Sequence, residues 1–563
     1  MMQRNKSIVC SFFILVFAVF QSGCSTLDVN KHYAQFSPQQ QLEADYYQVD
    51  IKTHDGLNLR ATLYQPALAP GETAPVVIHA HGFGVFRMSG PISLYGQLLL
   101  SGEAALETWK HKFWLISYDQ RGFGDSDGKV NIMDVNKEVK DVSTIISWVE
   151  DNLPRVSRDP SGDLLVGMIG ESYGGGAQLL ASIFDDRIDA MVPITTWHDL
   201  NEALAPNGHV RTAWGGFLLG GGILGSLFDF DKAFSAPYTD LFNGKLNVTA
   251  AMELEKRSPA MYCAEGKYPQ ADMLLIQGFR DTVFPVNHAY RNWLCGKQGG
   301  VDARLVAIQG GHILPWPMQS WSGMPFYNTE AVVRCGDYEE ETITMVVNFF
   351  EEKLKNKAPK QIVPTICLTV PDGEGLIAND VPTKGTLLDL VAAELDLIHS
   401  GWFEVILQPM DSLVSLIWRR SNDESDLDKL TGGTVRPAFK PMLQITRASQ
   451  LLGIPKLNIQ MQTTDDDKES TVFVGVGLRR NGSYKVELVS EQLMPLPGDG
   501  DYEILLSAVS ANLKPGDQIG LLMQGFSGQF FFNPDGWFES ARLSGSVEFP
   551  ITDLASGFSV AEN

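Results

Sequence analysis

Positive charge is scarce in this sequence: 44 Lys and Arg stand against 67 Asp and Glu in 563 residues, a formal net charge of -23. Nucleic-acid affinity comes from clustered Lys and Arg displacing counterions, so a nucleic-acid partner is excluded. Cysteine is also sparse, six in all. None forms a CxxC pair and no histidine pair lies near them, which removes a zinc site. The apolar run from Ile8 to Phe20 is too short to cross a membrane comfortably. The aspartates between Asp119 and Asp127 lack EF-hand spacing and a terminal glutamate, so no metal is expected there. No internal repeats are visible. With 44% hydrophobic and 20% charged residues, what remains is an ordinary globular chain, long enough for more than one domain.

The N-terminus reads as an address. Arg4 and Lys6 precede the run Ile8–Phe20, as in a secretory signal, expected over residues 1–23. Gln21-Ser22-Gly23-Cys24-Ser25 follows and resembles a bacterial lipobox, with Cys24 the lipidated residue. The resemblance implies a lipoprotein of the cell envelope, anchored to the outer membrane, with the polar stretch 24–44 as its tether. Apart from Cys10 and Cys24, four cysteines remain: Cys263, Cys295, Cys335 and Cys367. In an oxidising compartment they allow three complete pairings. Of these links, Cys295 to Cys335 is the one expected near the active-site loop.

From residue 45 the pattern becomes that of an α/β fold. Alternation over 47–51 and 57–64, across a turn at His54-Asp55-Gly56, predicts a hairpin. Short apolar runs then recur at 76–78, 113–116, 164–169, 190–194, 273–276 and 304–308, suited to a parallel sheet buried on both faces. Helical spacing lies between them at 135–152, and again at 340–354. The Trp-, Phe- and Gly-rich stretch 197–262 is too long for a plain connection and reads as a cap over a cleft. An α/β domain is therefore expected over 45–357, with a β-sandwich over 361–563, where strand-like pieces include 402–407, 471–478, 484–489, 502–509 and 519–523.

The chemistry concentrates at Gly170-Glu171-Ser172-Tyr173-Gly174, a nucleophile elbow directly after the apolar run ending at Ile169. Glycines two positions either side let a strand turn into a helix while the serine hydroxyl stays exposed. A serine needs a base, and the base an orienting acid. Asp281 in Gly278-Phe279-Arg280-Asp281 and His312 in Gly310-Gly311-His312 each follow a later apolar run, giving the order Ser172, Asp281, His312. His288 is expected on a helix, and Asp272 at the wrong end of its strand. The oxyanion requires two backbone N–H groups, assigned to Tyr173 and to Phe83 in the loop His79–Gly84. His81 is expected to be structural. Asp119-Gln120-Arg121-Gly122-Phe123-Gly124-Asp125-Ser126 is expected to brace a turn. No cofactor is called for.

These motifs, with the Trp/Gly-rich insertion and a C-terminal β-rich half, resemble the Xaa-Pro dipeptidyl-peptidase and cocaine-esterase-like (CocE/NonD) family. The resemblance implies an α/β-hydrolase fold with a jelly-roll-like second domain, and a serine esterase or peptidase acting on a small-molecule or peptide substrate. Relatives place a tyrosine where this chain has Phe83, which weakens the transfer of prolyl-peptidase specificity. The expected activity is therefore ester or amide hydrolysis, with Xaa-Pro dipeptidyl-peptidase activity and a non-catalytic binding lipoprotein as the alternatives.

Overall fold

The computed structural model describes residues 26–37, 39–92, 99–212, 214–216, 218, 246, 248–312, 331–396, 438–463, 470–525, 527–530 and 540–553. The signal and Cys24 lie outside these residues, as do the expected strand 402–407 and most of the centre of the 197–262 segment. No described helix is long and apolar enough to cross a membrane.

A short helix α1 (Val29–Tyr33) leads into the antiparallel hairpin β1 (Asp45–Lys52) and β2 (Asn58–Gln65). Alternation then proceeds through β3 (Val76–Ala80), α2 (Leu100–Lys110), β4 (Trp114–Tyr118), α3 (Glu138–Asn152), β5 (Val166–Glu171), α4 (Tyr173–Phe184) and β6 (Ala190–Ile194). Among the described residues three short helices, α5 (Leu200–Leu204), α6 (Val248–Glu255) and α7 (Pro259–Ala264), precede β7 (Asp272–Arg280), α8 (Val286–Gly299) and β8 (Ala303–Gly311). A small hairpin, β9 (Val332–Cys335) and β10 (Tyr338–Glu341), is followed by α9 (Thr342–Lys355), β11 (Ile366–Leu368) and β12 (Leu376–Ala378). The main sheet runs β1-β2-β4-β3-β5-β6-β7-β8-β11-β12. Strands β3 to β8 and β11 are parallel within it, with antiparallel partners at both edges. Every residue of β3, β4, β5 and β6 is buried, which is why these strands read as continuous apolar runs rather than alternating ones.

Two boundaries differ from the sequence expectation. The tether expected over 24–44 is not free chain throughout: the Leu27 N–H donates to the Gln48 carbonyl at 2.8 Å, and Val29 and Tyr33 join the core. The α/β domain also continues past the expected limits at 357 and 361, because β11 and β12 complete its sheet. The short spacing and Gly-rich turns of that stretch resemble the strand pattern that follows, so local sequence does not reveal which sheet it joins.

The cysteines pair as Cys263–Cys295 and Cys335–Cys367, not Cys295 with Cys335. The first links α7 to α8 and the second links β9 to β11. Each pair lies on elements that pack together, and pairing follows that proximity rather than nearness to the active-site loop.

Among the described residues the second half is built of β-strands, with two single-turn 3-10 helices at Val489–Glu491 and Gly528–Phe530. Its strands are β13 (Thr386–Asp396), β14 (Ala438–Gln444), β15 (Ser449–Gly453), β16 (Lys456–Thr463), β17 (Thr471–Arg479), β18 (Val486–Leu488), β19 (Met494–Pro497), β20 (Gly500–Leu505), β21 (Val509–Leu513), β22 (Gln518–Gln524), β23 (Ser540–Phe549) and β24 (Ile551–Asp553). They form antiparallel sheets β13-β23-β16-β20, β14-β22-β17-β18 with β19 on β17, and β21-β15-β24. Leu457, Ile459 and Val547 from the first and Val474, Val476 and Leu521 from the second meet in one apolar cluster. Leu452, Ile454 and Ala508 belong instead to the cluster of the main sheet, so the two halves share buried surface.

Candidate active site

Parallel strands deliver their following loops to one edge of a sheet, the usual place for a site in this class of fold. Ser172 follows β5, Asp281 follows β7, His312 follows β8, and His81–Phe83 follow β3. Asp272 starts β7 at the opposite end, where it accepts from the Asp302 N–H and pairs with Lys353. As expected, it stands apart from the site.

Ser172 has φ 55° and ψ -110°, a left-handed conformation that costs a non-glycine residue about 1–3 kcal/mol. The surroundings hold it there. Its N–H donates to the Ile194 carbonyl at 2.9 Å, and its carbonyl accepts from the Thr196 hydroxyl at 2.8 Å. The flanking glycines are required by close approach: a Cβ at Gly174 would lie 1.9 Å from the Ala80 carbonyl oxygen, and one at Gly170 would lie 2.5 Å from it. Helix α4 and strand β5 thus press on the end of β3, which places the loop beyond Ala80 against the nucleophile. Gly82 lies there, close enough that a Cβ on it would touch that of Ser172 at 4.0 Å.

The three expected residues meet. His312 Nε2 lies 3.0 Å from Ser172 Oγ, and His312 Nδ1 lies 2.9 Å from Asp281 Oδ2. All three are buried. Since Asp281 can only accept when ionised, Nδ1 carries the proton and Nε2 is left to accept from the serine hydroxyl. Asp281 is saturated on both oxygens. Oδ1 accepts from the Val283 and Phe284 N–H groups at 3.0 and 2.8 Å, while Oδ2 accepts from Gln277 Nε2 at 3.0 Å as well as from the imidazole. The imidazole lies edge-on between Trp214 and Phe284, each 5.2 Å away. Trp214 comes from the 197–262 segment and donates its indole N–H to the Thr282 hydroxyl at 2.9 Å, so this residue of the segment reaches the site.

Tyr173 opens α4, where the first N–H groups have no intrahelical acceptor. Its hydroxyl points away and accepts from the Met133 N–H at 3.1 Å. The ring of Phe83 packs edge-on against Tyr173 and Phe123. His81 is structural: Nε2 accepts from the Gln120 N–H at 2.9 Å, Nδ1 donates to the Gly82 carbonyl at 2.7 Å, and burial lowers its pKa. It braces the Gly82–Phe83 turn in its neutral form. His288 lies on α8, where its Nδ1 accepts from the His198 N–H at 3.3 Å; burial depresses its pKa to about 3.

The Asp119–Ser126 turn is a brace. Asp119 accepts from the Arg87 and Asp125 N–H groups, at 2.7 and 3.0 Å. Arg121 reaches across to Asp141 and Asp55, at 2.7 and 2.6 Å. His54, Asp55 and Asp141 are close enough together to suggest a cation site, but the Arg121 guanidinium already occupies oxygens of both carboxylates.

Two further residues belong to the site. Glu171 is buried beside the nucleophile and accepts from the Ser101 N–H at 3.2 Å; burial raises its pKa. Gln277, on β7, donates to Asp281 and to the Phe284 carbonyl and accepts from the Thr196 N–H, tying the acid loop to the nucleophile's neighbour. Its only sequence signal is a polar residue at the end of an apolar run.

Residues 55–222 match the X-Pro dipeptidyl-peptidase (S15 family). Over 145 residues, 25% of its length, the chain is 31% identical to the polyketide transferase claH of Penicillium crustosum, and the match takes in 42% of that relative. Among solved structures, a CocE/NonD family hydrolase of Staphylococcus aureus is similar with TM-score 0.61 at 12% identity, over 94% of this chain and 99% of that one. An aminopeptidase of a marine-sediment Thaumarchaeota archaeon gives 0.60 at 13%, over 95% and 99%. An alpha-amino acid ester hydrolase gives 0.58 at 12%, over 94% and 99%. At such identities the likeness establishes the fold. Residues 55–222 thus match the S15 family, and the chain as a whole shares the fold of these solved hydrolases.

Proposed function

We propose that this chain is a serine hydrolase that cleaves a carboxylic ester or amide through an acyl-enzyme. The observation that carries the reading is the continuous line from Ser172 Oγ through the His312 imidazole to Asp281, with contacts of 3.0 and 2.9 Å. Ser172 Oγ attacks the carbonyl carbon as His312 Nε2 takes its proton. The oxyanion is held by the Tyr173 N–H and the backbone of the Gly82–Phe83 turn. Asp281 holds the imidazole in the correct tautomer and stabilises the imidazolium. That proton passes to the leaving alcohol or amine as the tetrahedral species collapses. Water then attacks the acyl-enzyme under the same base, releasing the acid and restoring Ser172.

Xaa-Pro dipeptidyl-peptidase activity is the second reading, favoured by the S15 match. It needs a carboxylate free to hold the substrate's amine. Glu202 on α5 is not such a group, since the Arg291 guanidinium holds it through both oxygens. The two larger antiparallel sheets of the second half, which share one apolar cluster, support a β-sandwich of the jelly-roll kind. The signal-like N-terminus and Cys24 support a lipid-anchored envelope protein of the outer membrane, and two disulfides suit an oxidising compartment.

A fluorophosphonate probe is expected to label the wild-type protein and not Ser172→Ala. Absence of wild-type labelling overturns the reading. Comparing short acyl p-nitrophenyl esters with Xaa-Pro anilides then separates the two substrate classes.

A further inference from the structure

The acid loop is held from outside the domain that carries it. At the end of β7 the register against β8 slips between Gly278 and Arg280, which bulges Phe279 out of the ladder just before Asp281. The carbonyls of Phe279 and Asp281 both accept from one group, the side-chain nitrogen of Gln492, at 2.9 and 2.8 Å. Gln492 belongs to the second half of the chain. Two carbonyl acceptors fix which end of its carboxamide is the nitrogen.

Three observations separate this contact from ordinary interface packing. The Gln492 side chain is buried and its carboxamide oxygen has no hydrogen-bond partner among the described residues, a cost to folding that an apolar side chain of the same size would not incur. The turn that presents it carries two consecutive non-glycine residues in the left-handed region, Ser490 at φ 55° and Glu491 at φ 59°. That turn is itself tied down: Ser490 Oγ accepts from the Ser510 N–H at 3.1 Å, and the Glu491 carbonyl accepts from Gln529 Nε2 at 2.8 Å. Gln529 Oε1 in turn accepts from Arg211 Nη1 at 2.9 Å, in the same insertion that supplies Trp214. A strained, braced turn thus delivers one amide to the backbone on either side of Arg280.

We propose that Gln492 is a positioning residue of the active site, clamping the acid loop from the second domain so that Asp281 stays in line with His312. The inference rests on the serine-hydrolase reading above. The Asp281 carboxylate accepts from the N–H groups of its own loop, so it moves wherever the loop moves. A displacement of about 1 Å there costs on the order of 100-fold in rate.

The test uses the full chain and two variants of similar size, Gln492→Glu, which loses the donors, and Gln492→Met, which also relieves the unpartnered oxygen. Asn207→Gly is the control. Asn207 is exposed and donates across the same interface to the Pro495 carbonyl at 2.8 Å, away from the acid loop. In both Gln492 variants kcat for a p-nitrophenyl ester and the fluorophosphonate labelling rate are expected to fall about 10- to 100-fold. KM is expected to stay within about twofold, because the clamp touches no substrate. Asn207→Gly is expected to keep the wild-type rate. Folded Gln492 variants with wild-type kcat overturn the proposal. So does an equal loss in Asn207→Gly, or loss of folding in both Gln492 variants, since either makes the contact a general interface contribution. Failure of the wild type itself to label condemns the hydrolase reading instead.

Discussion

Asp281 has no spare acceptor capacity, and that determines what a substitution there does. Its Oδ2 receives both the imidazole N–H and a Gln277 N–H, and its Oδ1 receives two backbone N–H groups. Asp281→Asn keeps the shape but turns an NH2 group toward donors on one side or the other. With the amide nitrogen facing His312, the imidazole is driven to the tautomer whose Nε2 cannot accept from Ser172. The expected loss is about 10⁴-fold in kcat with the fold intact, measured on a p-nitrophenyl ester and by the thermal midpoint. A loss below about tenfold would mean that His312 is oriented by something else. Ser172, Asp281 and His312 were legible in sequence because each closes an apolar strand, and chain order then assigns their roles. Gln277, Glu171 and Gln492 were not legible. Nothing in the local pattern of a lone polar residue tells which backbone carbonyl lies opposite it once the chain has folded.

Helix α3 carries a pH-sensitive group. Glu138, in its first turn, is buried with its carboxylate receiving the Asn131 and Asp134 N–H groups, yet burial outweighs these bonds and raises its pKa to about 7. Because the folded value exceeds the unfolded one, the folded state holds the proton more tightly between about pH 4.5 and 7. The stabilisation is complete below that window and is lost as pH rises through 7. A shift of this size corresponds to roughly 3 kcal/mol. The thermal midpoint of the wild type, relative to Glu138→Gln, is expected to drop between pH 5 and pH 7.5; a constant difference would show that Glu138 titrates normally. The disulfides act at the same scale. Each closes a loop of sequence separation 32, worth about 4 kcal/mol on chain-entropy grounds. Peptide mapping without reduction is expected to return Cys263–Cys295 and Cys335–Cys367, and reduction is expected to lower the thermal midpoint by several degrees. A Cys295–Cys335 peptide would contradict the fold described here. Buried strands were legible element by element because their apolar runs are local, whereas cysteine pairing depends on which elements meet, and spacing alone does not determine that.

On the scale of the whole molecule, the two halves do not separate cleanly. Leu452, Ile454 and Ala508 lie in the core of the main sheet, and Asn287 on α8 bonds the backbone of residues 506 and 508, at 3.0 and 2.8 Å. Gln309, at the end of the strand that carries His312, donates to Ser510 Oγ at 3.1 Å. The second half therefore supports the loops after β7 and β8, which bear the acid and the base, while the loop after β5 is braced within the first half by Ile194 and Thr196. This asymmetry yields a prediction about truncation. A chain ending at Thr383 retains every residue of the main sheet and all three of Ser172, Asp281 and His312, so on local grounds it should be sufficient. Removing the rest, however, uncovers apolar surface of the main core and leaves the Phe279, Asp281 and Leu204–Arg211 regions without their bonding partners. The truncated chain is expected to express mostly as insoluble protein, and its soluble fraction to label with fluorophosphonate at least 10-fold more slowly than the full chain, in line with a misplaced acid and base. Gel filtration and labelling rate measure both. A monodisperse truncated chain that labels at the full rate would show that the first half assembles its own site and that the second half serves another purpose.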